Sequence, residues 1–333
     1  MHSIEEFYNF YLQNFTNSNA VLYQELNFHR KKAFKFLSLG AFGILLVICG
    51  WISISVFDVD FDRLSGFLQT IIIGGNVLFV IGIIIIIGIG GSEANKFKKI
   101  FKEKVIRKII DYVDPSLRYY PENFIGRSSF EMAGFFPSYR IDRYNGDDLV
   151  EGVIGKTKIK FSELHVQEER KSDKNTHYVD IFKGLFIIVD FNKNFNGRTY
   201  VMPDLNDKTY SKFLFFGEKQ KTSYGELVKL ENPEFEKICA VFSTDQIEAR
   251  YILSTSLMDR IVKFRNRIRR EVFFCFANSQ IYIAIPFKMN LFEPKITKKI
   301  IEFSLLQTYY EVLLDTIGIV DELNLNTRIW TKE

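Results

Sequence analysis

Two long apolar runs dominate the hydropathy pattern of the chain. Residues 36–57 and residues 70–91 each hold 22 amino acids without a single charge. As helices, each would extend about 33 Å, which is enough to cross a hydrocarbon core of about 30 Å. A buried core helix is the alternative, but core helices rarely stay uncharged for this length. A cleaved signal peptide is disfavoured because a largely polar stretch precedes the first run and a second run follows it. The pattern therefore predicts two transmembrane helices joined by a short external loop at residues 58–69.

Glycines within these runs indicate how the two helices could meet. Gly43 and Gly50 are seven residues apart, as are Gly75 and Gly82, so each pair lies near one helix face. Small residues allow transmembrane helices to approach closely, although glycine is also common in such helices without this role.

The charges that flank the runs predict an orientation. A basic cluster (His29, Arg30, Lys31, Lys32 and Lys35) precedes the first run, and more lysines follow the second run. The connector instead carries Asp58, Asp60 and Asp62 against Arg63. The positive-inside rule then predicts that both termini are cytosolic.

A basic helix is predicted at residues 93–114, directly after the second run. Lys98, Lys99, Lys102 and Lys108 are its candidate membrane-surface residues, because lysines near a bilayer attract anionic lipid. The alternative is that the apolar face packs on the soluble domain and the charges only fix the topology. The basic excess ends here, since residues 111–333 hold 32 basic and 32 acidic side chains. That balance argues against nucleic-acid binding.

The first 30 residues are predicted to form a separate cytosolic amphipathic helix. Its stripe follows helical spacing and consists of Ile4, Phe7, Tyr8, Tyr11, Leu12 and Phe15, with Ser3 as N-cap. The helix contains no lysine or arginine before residue 16, so we expect its stripe to pack on the protein or on a partner rather than on lipid.

Residues 115–333 are predicted to form one cytosolic α+β domain. Alternating apolar runs such as TKIKFSELHVQ and YVDIFKGLFIIVDF read as strands, and VFFCFANSQIYIAIPF reads as two strands around a tight turn. A capped helix near Ser256 and a long helix after Pro294 accompany them. This order predicts a mainly antiparallel sheet with flanking helices.

Motifs for catalysis are not evident in the sequence. It contains no HExxH, CxxC, GxSxG or P-loop pattern, so no catalytic, cofactor-binding or metal-binding residue is predicted. Cys239 and Cys275 stand in apolar contexts that favour packed core thiols over nucleophiles. His165 is compatible with a general base or with an ordinary position on a sheet surface.

An arginine cluster is the most prominent cytosolic feature. Arg265, Arg267, Arg269 and Arg270 fall within KFRNRIRRE, where a helix is expected to give way to a strand. Guanidinium groups bind phosphate and carboxylate bidentately, so these four are candidate ligand or partner residues. The competing interpretation is a solvated helix end, where cations also suit the helix dipole.

The sequence also resembles a known family. The stretches NGDDLVEGVIGKTKIKFSELHVQ, STDQIEARYILSTSLMDRIVKF and IYIAIPFKMNLFEP are similar to an uncharacterised bacterial membrane-protein family, known only as a domain of unknown function (number three-one-three-seven). The resemblance implies a protein of the bacterial inner (cytoplasmic) membrane with two spans and a cytosolic domain. It also suggests a LemA-like membrane protein as a partner, and it brings no catalytic residues.

These features lead to two hypotheses for the function. The first is a membrane-anchored, non-enzymatic scaffold or regulatory protein that binds a protein or lipid partner through its cytosolic domain. The alternative is a membrane-tethered enzyme that acts on lipid or nucleotide, which would need a polar constellation that the sequence does not display.

Overall fold

A computed structural model describes residues 3–16, 20–56, 65–172, 175–191, 196–203, 222–287, 290–297, 300–323 and 325. Most of the predicted external loop, residues 58–64, lies outside the described residues. The chain divides into two compact units. The helical unit comprises residues 2–106 and 293–307, and the sheet unit comprises residues 107–292 and 308–333.

The N-terminal helix α1 spans Ile4–Tyr11 and packs within the helical unit. Ser3 closes a capping box, in which its hydroxyl accepts from the Glu6 N–H and the Glu6 carboxylate accepts from the Ser3 N–H. Phe7 is fully buried, and its ring lies 6.0 Å from that of Phe303. The Tyr11 hydroxyl donates to the carbonyl of Ile301 at 3.2 Å. The aromatic stripe of α1 is therefore packed on the protein itself.

Two long helices follow, α2 at Ala20–Val56 and α3 at Gly66–Phe101. A π-helical stretch, Lys102–Ile106, connects α3 to α4 at Arg107–Val113. The segments Val21–Ser53 and Thr70–Val113 are long and apolar enough to cross a membrane. Most of the apolar side chains in their central parts are exposed, as expected for helices that face lipid rather than a protein core.

Close packing of α2 on α3 depends on small residues at one end of the pair. A Cβ atom added to Gly40 would lie 2.4 Å from the Ile87 side chain, and one added to Gly90 would lie 3.0 Å from the backbone nitrogen of Leu37. The predicted role in close approach holds for Gly43, which faces Ile83. It is wrong for Gly50, Gly75 and Gly82, where an added Cβ atom would have no neighbour within 4 Å.

Within the described residues, nine strands form one sheet in which every pairing is antiparallel, in the order β1-β2-β3-β4-β9-β8-β5-β7-β6. The strands are β1 Arg118–Tyr120, β2 Arg143–Ile154, β3 Thr157–Ser172, β4 Asn175–Asp190, β5 Thr199–Pro203, β6 Glu226–Leu227, β7 Cys239–Ser243, β8 Phe273–Ala277 and β9 Gln280–Pro286. The described α-helices after α4 are α5 Arg127–Ala133, α6 Pro233–Ile238, α7 Gln246–Ile252, α8 Thr255–Ile268 and α9 Phe303–Glu322. The predicted α+β fold with a mainly antiparallel sheet is confirmed.

Alternation along the strands gives this sheet two apolar faces. One face, which we call the aromatic face, carries Phe186, Tyr200 and Tyr282 and packs against Phe130 of α5. The opposite face carries Phe161, Ile187 and Phe274, and Phe264 of α8 lies against it. A sheet buried on both sides needs near-continuous apolar strands, which explains the run FKGLFIIVDF in β4.

Candidate functional site

The aromatic face changes from apolar to charged at one end of the sheet. Beyond Ile188 its side chains border a cleft of about 620 Å³, a size typical of small-molecule sites. We call this the polar cleft. It is lined by Ser116, Arg118, Glu151, Gly152, Val153, Lys158, Ile159, Lys160, Ile188, Asp190 and Gln280.

Strand register brings the charged side chains of the polar cleft together. Arg118 of β1 pairs with Glu151 of β2, and Glu151 pairs in turn with Lys160 of β3. Directly paired residues project from the same face of a sheet, so the three side chains form a row across three strands. Lys158 lies two residues from Lys160 and extends the same face, as Asp190 does two residues after Ile188.

A close backbone approach holds β1 in this row. A Cβ atom on Gly152 would lie 2.6 Å from the carbonyl oxygen of Ser116, so only glycine fits against the chain that enters β1. The Ser116 hydroxyl also donates to the carbonyl of Val153 at 2.9 Å. These contacts fix the position from which Arg118 projects.

The cations of the polar cleft have no internal partner among the described residues. Within the part of the chain that the structure describes, the side chains of Arg118, Lys158 and Lys160 make no ion pair or hydrogen bond, and neither does Glu151. Lys160 and Glu151 are half-buried, whereas Arg118 and Lys158 are exposed. Unpaired cations beside a partly enclosed surface can bind an anion without first breaking a contact within the protein.

Three acidic side chains form a second polar cluster where β2 pairs with β3. Carboxylate oxygens of Asp147, Asp148 and Glu163 lie within 4.8 Å of one another, a donor set of the kind that Ca²⁺ or Mg²⁺ prefers. Asp148 and Glu163 are buried, and Asp148 adopts a left-handed φ of 59° beside a β-bulge. The Tyr119 hydroxyl donates to Asp148, and the Leu291 N–H donates to Glu163 at 2.9 Å. These hydrogen bonds give the carboxylates structural roles, and the cluster alone does not define a metal site.

The four predicted arginines have different neighbours. Arg265 donates to the carbonyl of Ile238, and Arg267 forms ion pairs with Glu322 at 2.5 Å and Asp315 at 3.4 Å. Arg269 is the left-handed C-cap of α8, and the Arg270 guanidinium lies 4.2 Å from the Phe287 ring. Three of the guanidinium groups, those of Arg265, Arg267 and Arg270, thus contact residues outside α8. A common ligand for Arg265, Arg267, Arg269 and Arg270 stays a prediction.

The four predicted membrane-surface lysines differ in exposure. Lys98 forms an ion pair with Glu293 at 2.8 Å, and Lys102 is buried. Lys99 is exposed and Lys108 is half-buried. Contact of these lysines with anionic lipid stays a prediction.

The reactive residue types considered in the sequence occupy ordinary positions. Cys239 and Cys275 are buried thiols. His165 lies on the sheet surface, where its Nε2 atom is 2.7 Å from a carboxylate oxygen of Asp180. Burial favours a higher pKa for Asp180, but hydrogen bonds from His165 and Gln167 outweigh burial and lower that pKa below its usual value.

The residues of the polar cleft were not among the predicted site residues. They come from five strands and from positions as far apart as 116 and 280, so no local motif contains them. One feature of the sequence does point to the polar cleft. Lys158 and Lys160 are two residues apart in a strand, so both side chains lie on one sheet face.

The fold and the cleft define an α+β protein with two membrane-length helices and a ligand-sized polar cleft on its sheet. Residues 180–325 match the family described as "Protein of unknown function (DUF3137)", which is the family that the sequence resembles. No curated protein matches the sequence. Among solved structures, the mycobacterial trehalose monomycolate transport factor A, TtfA, matches with 11% identity and a TM-score of 0.30 over 65% of this chain and 94% of that chain. Such a score does not define a shared fold.

Proposed function

We propose that this protein is a membrane-anchored, non-enzymatic scaffold or regulatory protein that binds a protein or lipid partner through its sheet unit. The polar cleft is the observation that carries the proposal. It collects on one sheet face three cations that have no partner in the described part of the chain, next to two carboxylates. The described residues that line the cleft can bind and orient a charged partner. They do not form the pair of a nucleophile and an activating base that covalent catalysis needs.

The anchor in this proposal is the pair α2 and α3, in the inner membrane of a bacterium. Two helices of membrane length support membrane association. The basic residues at residues 29–35 and 96–108 support an arrangement in which both termini, and with them the sheet unit, are cytosolic. A LemA-like membrane protein is a partner to be tested, on the basis of the family resemblance.

The test is co-purification of the full-length protein from native membranes, followed by identification of bound proteins and lipids by mass spectrometry. The cleft variant combines Arg118→Gln, Lys158→Gln and Lys160→Gln. The matched control combines Lys229→Gln, Lys237→Gln and Lys263→Gln, which removes the same charge from exposed positions outside the cleft. We expect the cleft variant to lose an identified partner that the wild type and the control both retain. If the cleft variant retains every partner of the wild type, the proposal is wrong.

A further inference from the structure

We infer that the polar cleft binds a phosphate ester that also carries a hydroxyl or ammonium group. This inference rests on the proposed function and names the chemical class of the ligand. The phosphate would contact Arg118, Lys158 and Lys160, and the donor group would contact Glu151 or Asp190. The ligand needs both an anionic group and a hydrogen-bond donor because the cleft presents cations and carboxylates.

The arrangement of cations favours phosphate over a single carboxylate. Arg118 and Lys160 flank Glu151 on neighbouring strands, so their Cα atoms are about 10 Å apart, two strand spacings. Lys158 and Lys160 are separated by about 7 Å along β3. Three cations at these separations can reach one phosphate from different sides with their long side chains. A phosphate offers a bidentate edge to Arg118 and a further oxygen to the lysines, whereas one carboxylate has only two oxygens.

The two carboxylates restrict the rest of the ligand. Glu151 lies between the cations in register, and Asp190 pairs with Gln280 on the same face. An ionised carboxylate only accepts hydrogen bonds, so it repels additional anionic groups and favours donors such as hydroxyl or ammonium. A polyanion would place negative charge against Glu151 and is therefore a poor fit.

The size of the cleft limits the ligand to a small molecule or a headgroup. About 620 Å³ falls within the range of small-molecule sites. The same chemistry occurs in a soluble phosphate ester and in a phospholipid headgroup. Glycerol 3-phosphate and dihexanoyl-phosphatidylglycerol both carry a phosphate and hydroxyl groups, and they serve as probes that distinguish the two sources.

The experiment measures binding of each probe to the full-length protein in phosphatidylcholine nanodiscs by isothermal titration calorimetry. Lys160→Gln and Arg118→Gln should each weaken binding at least about tenfold, because each removes a charge-assisted hydrogen bond. Lys229→Gln, which removes a charge outside the cleft, should leave affinity unchanged. Thermal melting of every variant checks that a loss of binding is not a loss of fold.

A second variant tests the donor end of the ligand independently of total charge. Glu151→Gln removes a negative charge beside the phosphate, so affinity for inorganic phosphate should rise. It also weakens the acceptor for the ligand hydroxyl, so the preference for glycerol 3-phosphate over inorganic phosphate should fall several-fold. Asp190→Asn tests the other carboxylate in the same way. A preference that is unchanged in both Glu151→Gln and Asp190→Asn would overturn the two-ended ligand.

The outcomes separate this inference from the proposed function. Binding of the lipid probe alone supports the inference and identifies a headgroup, whereas binding of both probes identifies the soluble ester as sufficient. If neither probe binds, or if Lys160→Gln binds as the wild type does, the inference is wrong. If co-purification of a partner still depends on the cleft in that case, the proposed function stands without it.

Discussion

At the scale of single residues, burial decides the chemistry of the cysteines. Cys275 is completely buried on the aromatic face, between strands β5 and β9. Burial raises the pKa of the Cys275 thiol to about 12, and the nearby guanidinium of Arg198 and hydroxyl of Tyr200 offset this only in part. The thiolate is the reactive form, so the fraction available at neutral pH is roughly a thousandfold below that of an ordinary thiol.

We therefore predict that Cys275 is not alkylated in the native protein. Iodoacetamide at pH 8, followed by peptide mass spectrometry, should leave Cys275 unmodified and should modify it fully once the protein is unfolded in guanidinium. The buried Cys239 should behave in the same way and provides an internal comparison. Modification of Cys275 in the native state at the rate of a small-molecule thiol would contradict the burial described here.

For the arginines, the contacts of each side chain in the fold determine its role, and proximity in the sequence does not. Arg267 binds two carboxylates of α9, Asp315 and Glu322. Burial raises the pKa of both carboxyl groups, and Arg267 counteracts the shift by favouring their charged forms. Arg267 therefore helps to join α8 to α9. Replacing Arg267 with an acidic residue would bring like charges together in a partly buried environment.

At the scale of elements, the contact between α2 and α3 depends on where glycines lie along the helices. Gly40, Gly43 and Gly90 lie where the helices touch, whereas a Cβ atom added to Gly50 would have no neighbour within 4 Å. A glycine-to-alanine substitution should therefore lower the stability of the helix pair at Gly90 but not at Gly50. This contrast tests the packing of the pair without changing charge or polarity.

We predict that Gly90→Ala destabilises the helix pair by about 1–3 kcal/mol, the usual cost of overpacking. Its new methyl group would meet the Leu37 side chain at 2.9 Å and the Leu37 backbone nitrogen at 3.0 Å. Gly50→Ala has no neighbour within 4 Å and gains helix propensity, so its stability should be unchanged or slightly higher. The measurement is the melting temperature of the detergent-solubilised protein. Equal melting temperatures for the two variants would refute the packing.

At the scale of the whole molecule, the prediction concerns topology. Fusions of green fluorescent protein and of alkaline phosphatase to each terminus of the full-length chain report its side of the membrane. We expect fluorescence and no phosphatase activity at both ends, because basic residues flank both apolar runs and acidic residues lie between them. Phosphatase activity at either terminus would overturn the two-span arrangement with cytosolic ends. A variant in which Arg30, Lys31, Lys32 and Lys35 become glutamine should weaken this preference.

The sequence by itself determined the features that depend on local pattern. Membrane-length helices follow from uninterrupted apolar runs, the cap of α1 from Ser3 and Glu6, and the antiparallel strands from two-residue alternation and tight turns. Each of these is specified by neighbours within a few residues. The pattern therefore predicted α+β architecture with two long apolar helices before the structure was known.

Only the tertiary structure decided which distant residues meet. Pairing of β1, β2, β3, β4 and β9 collects Arg118, Glu151, Lys160 and Asp190 into one cleft, although more than 70 residues separate the first from the last. It also placed Gly90 rather than Gly75 at the helix contact. Strand order and helix contacts depend on long-range packing, in which many strands and helices of similar pattern could pair with one another. The periodicity of the sequence alone therefore does not specify which of them pair.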